Sequence, residues 1–378
     1  MNTVTIPVQI DDPVNEAILA VSEDRLQGFQ EDPFLQIAEL SQQPVETVIE
    51  RVKEMLAAGV VRRVRQTLLA TNLAKGALVA WKISSDRLDE AFDFMYNQDP
   101  FSGHVVIRST DSATTGSAYR LWTTLKTPQG FSIEKHADWL AERTGAEKYL
   151  LMPARRLFAL GVGHVRRRSL EIGSHSESLA EVIDTNIVEL SELEWRVLVP
   201  LKREFTPQEL TRDLWKTRSE EAGVDNETFF HISRQLSQRG VIGRFSTFLE
   251  HARPDAEGER HVTRYNGLFH WAVPKGREIE AGREVGRFHI LTHAYWREGG
   301  PEFGNVNIMA VAHGMEKQPL LAHKAAIDRH LEETGIPVSY TNVFWGGRSE
   351  IKPSEIAPQA YVEFCREKGL DPEQMRSS

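Results

Sequence analysis

Apolar residues recur at Val45, Val48, Ile49, Val52, Met55 and Leu56, the spacing that lays one buried stripe along a helix. Pro44 suits the first turn of that helix and Gly59 its C-terminal cap. Two shorter amphipathic segments, NEAILAV and PFLQIAEL, come before it, and a basic strand, VVRRVRQTLL, comes after. The same order returns later. LSELEWRVLVPL opens it, and TPQELTRDLW follows with Thr206 as N-cap and Pro207 at the first helical position. DNETFFHISRQLSQRG is the third helix, capped by Gly240, and VIGRFSTFL is the strand. Both units end alike, AAGVVRR and QRGVIGR. Three helices and a two-stranded wing predict a winged helix-turn-helix, twice.

Each unit runs into alternating strand and helix patterns. ALVAWKI, SSDRLDEAFDFMY, HVVIRS, YRLWTTLKT, SIEKHADWLAERTG and YLLMP read as βαββαβ, with Ser132 and Gly145 capping the second helix. NGLFHWAV, EIEAGREVG, RFHILTHAY, NVNIMAVAHG, KQPLLAHKAAIDRHLEETG and VSYTNVFW repeat it, EIEAGREVG as a helix or turn. That order predicts a ferredoxin-like sandwich. The fold class is α+β: a tandem repeat of winged helix-turn-helix plus sandwich. The expected domains are 12–70 and 185–252 (winged helices), 71–172 and 262–352 (sandwiches), and a short helical tail at 353–378.

Composition narrows the function. The 378 residues are 40% apolar and 26% charged, an ordinary globular mix. No apolar run is long enough to span a membrane, and the N-terminus lacks a secretory pattern, so a cytoplasmic protein is expected. One cysteine excludes an intramolecular disulfide or a Cys-cluster metal site. The net charge of −9 argues against nucleic acid as main partner. So do the acidic starts of both third helices, PVETVIERVKE and DNETFFHIS, because a DNA-reading helix is basic there. Local basic density at Arg62, Arg63 and Arg65 and at Arg166, Arg167 and Arg168 offers anion patches or solvated faces.

The stretch HILTHAYWREGGPEFGNVNIMAVAHG carries the densest chemistry. His293, Tyr295 and Arg297 alternate on one strand, and Asn307, Met309, Val311 and His313 on the next. Pairing odd residues with odd puts two imidazoles, a phenol, a guanidinium and an amide on one face, beside apolar Met309 and Val311. Arginine pairs carboxylates bidentately, and neutral histidine carries a proton near pH 7 or ligates iron. His270, beside Trp271, is expected to be core.

These motifs resemble the siroheme decarboxylases, relatives of the leucine-responsive (Lrp/AsnC) regulators. The resemblance spans roughly residues 12–352. His293-Ala-Tyr295-Trp-Arg297, then Asn307, then His313-Gly314 match the family's second-subunit pattern, without its Cys and its Trp-Pro-Tyr. AYRLWTTL resembles its first-half strand at Tyr119, Trp122, Thr124 and Leu125. The family's His-Asn-Tyr-x-Arg is absent before the first hairpin turn, where DSATTGS stands. The resemblance implies two subunit types fused in one chain. It also implies removal of acetate carboxyls from siroheme to give didecarboxysiroheme in an alternative heme pathway. No cofactor is implied beyond the iron tetrapyrrole itself. His293, His313 and Tyr295 are the expected catalytic residues, with either histidine a possible ligand to the substrate's iron. Arg297, Asn307, Arg62, Arg63 and Arg155 are expected to bind substrate. The halves are expected to pair within the chain or in a homodimer. The competing expectations are an Lrp/AsnC-type transcription regulator and a non-catalytic tetrapyrrole binder.

Overall fold

A computed structural model describes residues 6–160, 170–184, 187–249 and 263–377. The basic run Arg166–Arg168 lies outside them. The chain forms α1 (Pro13–Ser22), β1 (Leu26–Gln27), α2 (Pro33–Ser41), α3 (Val45–Ala57) and β2 (Val61–Leu68). The first sandwich is β3 (Ala74–Lys82), α4 (Leu88–Asn97), β4 (Ser102–Ser109), β5 (Tyr119–Pro128), α5 (Ile133–Thr144) and β6 (Lys148–Pro153), extended by β7 (Arg156–Leu160). The second winged helix is α6 (Glu192–Leu201), α7 (Lys216–Ala222), α8 (Asn226–Gln238) and β8 (Ile242–Leu249). The second sandwich is β9 (Tyr265–Ala272), α9 (Glu278–Gly286), β10 (Leu291–Trp296), β11 (Ile308–Gly314), α10 (Lys317–Glu333) and β12 (Tyr340–Ile351), followed by α11 (Pro358–Glu367).

The repeats group by type rather than by chain order. One compact unit takes the described residues of 1–70 and 188–264, the other those of 71–161, 170–187 and 265–378. In the winged-helix unit both wings share one sheet, with β8 between β1 and β2. Asp12 caps α1 and Asp225 caps α8 through their carboxylates. TPQELTRDLW departs from expectation. Only Pro207–Glu209 makes a helical turn: Thr206 and Glu209 form a capping box that starts it, and Leu210 leaves it in an extended conformation with ψ 90°. Glu209 also pairs with the fully buried Arg218 of α7, at 2.9 Å.

The second unit is a single sheet among the described residues, in the order β6-β3-β5-β4-β12-β9-β11-β10-β7. Each half keeps its own four-strand order, and the halves join where β4 pairs antiparallel with β12. The chain then links the opposite edges: β6 runs through Pro153–Arg155 into β7, which pairs with β10. The helices' apolar faces cover one side, α4, α5 and α11 over the first half and α9 and α10 over the second. The expected helical tail after 353 contains α11, whose Tyr361, Phe364 and Cys365 complete the first core. The other, helix-free face turns inward on a third cluster, with Trp122, Met152, Leu268, Phe303, Met309 and Phe344.

Candidate active site

On the inner face, odd pairs with odd: His293 opposes Val311 and Tyr295 opposes Met309. A bulge between Leu291 and His293 inserts Thr292 into the ladder. Its hydroxyl lies 3.0 Å from Nδ1 of His293 and 3.5 Å from Nδ1 of His313, and it donates to the Val311 carbonyl at 3.2 Å. One buried hydroxyl thus bridges both imidazoles. His293 stacks on Tyr295 with ring centroids 5.9 Å apart and planes 12° apart. Arg297 also lies over that ring, at 4.5 Å, and donates to the Met152 carbonyl. Burial raises the Tyr295 phenol above its ordinary value, with the guanidinium pulling the other way. Burial likewise lowers Arg297.

The line continues past His313. Its Nε2 lies 3.0 Å from Nδ2 of Asn266, whose Oδ1 lies 3.2 Å from Nη1 of Arg108. Arg108 sits on β4, in the first half, and is only 4% exposed. The full row is Arg108, Asn266, His313, Thr292, His293, Tyr295, Arg297, with a guanidinium at each end.

Arg108 and Arg297 are counterparts. Arg108 donates to the Phe344 carbonyl on the second half's last strand, as Arg297 does to Met152 on the first half's. His104-Val-Val-Ile-Arg108 has the His-x-x-x-Arg spacing of His293-Ala-Tyr-Trp-Arg297. The first half therefore keeps the ends of the motif, with Val106 where Tyr295 stands. That spacing was the signal available in the sequence. Thr292 and Asn266 gave no signal, because a bulge and a cross-strand register are not written in local pattern.

The other four expected substrate contacts have the following places and partners. Asn307 is buried, accepting from the Val273 N–H at 2.9 Å and donating to the Val273 carbonyl and Glu278, so its amide anchors the strand start. Arg63 lies in the winged-helix unit, paired with Glu204 at 3.0 Å. Arg62 lies beside it on β2. Arg155 is 58% exposed, paired with Glu298 at 3.5 Å and resting over Trp296, outside the inner row. His270 faces inward, fully buried, with neither ring nitrogen hydrogen-bonded. Burial first, then Arg108 and Lys324, push it down to about 3, so it is neutral.

The first half also receives the hairpin tip. Phe303 is buried against Tyr119 and Trp122, at ring distances of 5.0 and 5.4 Å. Glu302 bonds the Tyr119 hydroxyl and Lys148. Gly116 of DSATTGS holds φ +84°, and a Cβ there would meet the Phe303 ring at 2.4 Å.

Residues 73–159 match the AsnC-like ligand binding domain. A siroheme decarboxylase of Hydrogenobacter thermophilus is 26% identical over 293 residues, 76% of this chain and 80% of that relative. The chain is similar to the siroheme decarboxylases over most of its length. The siroheme decarboxylase beta subunit of Oleidesulfovibrio alaskensis is 25% identical over 118 residues, 31% of this chain and 68% of its own length. The crystal structure of the siroheme decarboxylase NirDL superposes with a TM-score of 0.64 at 19% identity, over 95% of this chain and 100% of that one. NirDL in co-complex with an iron-uroporphyrin III analogue gives 0.63 over 94% and 99%. The α+β, Lrp/AsnC-like fold is thereby established. No helix among the described residues is long and apolar enough to cross a membrane.

Proposed function

We propose that this chain is a siroheme decarboxylase, a carboxy-lyase that removes acetate carboxyls from the iron tetrapyrrole. The observation that carries the reading is the inner row, with two hydroxyl-bridged imidazoles stacked in series with a phenol and a guanidinium. Loss of carbon dioxide leaves an electron pair on the acetate methylene, which the conjugated ring absorbs. One proton then makes the methyl group, so a carboxylate plus a proton becomes methyl plus carbon dioxide. The substrate is its own electron sink, and the protein orients, excludes water and delivers the proton.

Arg297 grips a substrate carboxylate, held in place by its bond to Met152. Tyr295, in contact with His293 and Arg297, keeps both at fixed spacing. His293 or His313 delivers the proton. The acidic residues at the starts of α3 and α8, Glu46 and Glu227, speak against the regulator reading.

The test is anaerobic incubation of the purified protein with siroheme, read by absorbance and mass spectrometry. Loss of the mass of one carbon dioxide per acetate is expected. A shifted absorbance with unchanged mass would make the protein a binder, and no shift would remove siroheme as ligand.

A further inference from the structure

The amide of Asn266 is oriented by its two neighbours. Arginine only donates, so the atom 3.2 Å from Nη1 of Arg108 is the amide oxygen. The amide nitrogen therefore faces Nε2 of His313 at 3.0 Å. An amide nitrogen also only donates, so Nε2 accepts. The proton of the neutral ring then sits on Nδ1, toward the Thr292 hydroxyl.

We infer that Arg108 and Asn266 are positioning residues that lock His313 in its Nδ1–H tautomer, so that His293 is the imidazole that delivers the proton. Protonating His313 at Nε2 would set N–H against N–H and break the Asn266 bond. The guanidinium behind the amide blocks the rescue by rotation, because a flipped amide would turn its own N–H groups on Arg108.

The surroundings are built for this task. Arg108 is buried, and no carboxylate among the described residues lies within ion-pair distance of it. Its Nε has no hydrogen-bond partner. Such a cation is costly to bury, and its bonds go to Asn266 and the Phe344 carbonyl. Gly346 lies between Arg108 and Asn266 in the ladder, opposite both. A Cβ there would come within 3.3 Å of the Asn266 side chain, so the glycine leaves the span open.

The tautomer follows from geometry alone, and only the proton-delivery role rests on the decarboxylase reading. The first measurement is two-bond nitrogen–proton correlation NMR on full-length protein carrying nitrogen-15 histidine, without substrate. His313→Gln assigns the signal. Nε2 of neutral His313 is expected to be bare and Nδ1 protonated. Asn266→Asp, nearly isosteric, presents an acceptor and is expected to move the proton to Nε2. Arg108→Met frees the amide and is expected to populate both tautomers. A wild-type ring protonated at Nε2, or an Asn266→Asp ring unchanged, overturns the lock.

With siroheme, His293→Gln is expected to cut conversion by about a hundredfold or more. His313→Gln is expected to leave more activity than that, and the reverse order overturns the assignment of roles. If the tautomers behave as expected but siroheme is never converted, the decarboxylase reading fails and the lock stands.

Discussion

The guanidinium of Arg297 rests 4.5 Å over the ring of Tyr295. That contact joins the two halves, because the same guanidinium bonds the carbonyl of Met152 on the first half's last strand. Arg297→Met keeps much of the apolar stem and removes the charge, the cation–π contact and the bond. A stability loss of about 1–3 kcal/mol is expected in urea unfolding. Weaker siroheme binding should accompany it in absorbance titration. The phenol of Tyr295 should also titrate higher, since Arg297 holds it down against burial.

Thr292 is the hydroxyl between the imidazoles. Thr292→Val preserves shape and removes the bridge. Two ring nitrogens lose a partner, so a cost of about 1–2 kcal/mol is expected. Conversion of siroheme should fall by about tenfold or more with the folded far-ultraviolet dichroism unchanged. Full activity in this variant would show that the bridge does not orient the rings.

His270 makes stability depend on pH. Its folded value, about 3, lies below its unfolded value of 6.5. Between those values the unfolded chain binds more protons, so stability is full above pH 6.5 and falls as pH drops toward 3. The slope is about 1.4 kcal/mol per pH unit at most. His270→Leu should flatten that part of the profile. It should also stabilise the protein at pH 7 by about 1–3 kcal/mol, since both ring nitrogens are buried without partners. Thermal unfolding at several pH values measures both effects.

Gly116 makes room for Phe303. Gly116→Ala adds a methyl against that ring and strains a backbone at φ +84°. A loss of about 1–3 kcal/mol is expected. The displaced hairpin tip should quench or shift the emission of Trp122, which packs against Phe303. An unchanged melting temperature would mean that the tip is not seated on the first half in solution.

Periodicity was enough to locate α3, α5 and α8; Ser132 and Gly145 cap α5 as expected, whereas Pro44 is itself the N-cap of α3, and the C-caps of α3 and α8 are Ala58 and Arg239, one residue before Gly59 and Gly240. A helix is specified by neighbours three and four residues away, so local pattern reveals it. The helix expected after Thr206 stops after one turn because Leu210 turns extended, while Glu209 reaches Arg218, a partner nine residues on that local pattern does not reveal. In the same way α11 gave a helical pattern but no hint that its apolar face closes the first core.

The sequence by itself determined the elements, the doubled order, and the His293, Tyr295, Arg297 face, because strand alternation puts every second residue on one side. Its resemblance to the siroheme decarboxylases stood on those same residues. Only the tertiary structure decided that each repeat pairs with its like, that Arg108 and Asn266 reach His313, and that Asn307 is spent on Val273. Those facts depend on which distant strands become neighbours and in what register. Register is fixed by burial across the whole sheet rather than by any run of residues along it.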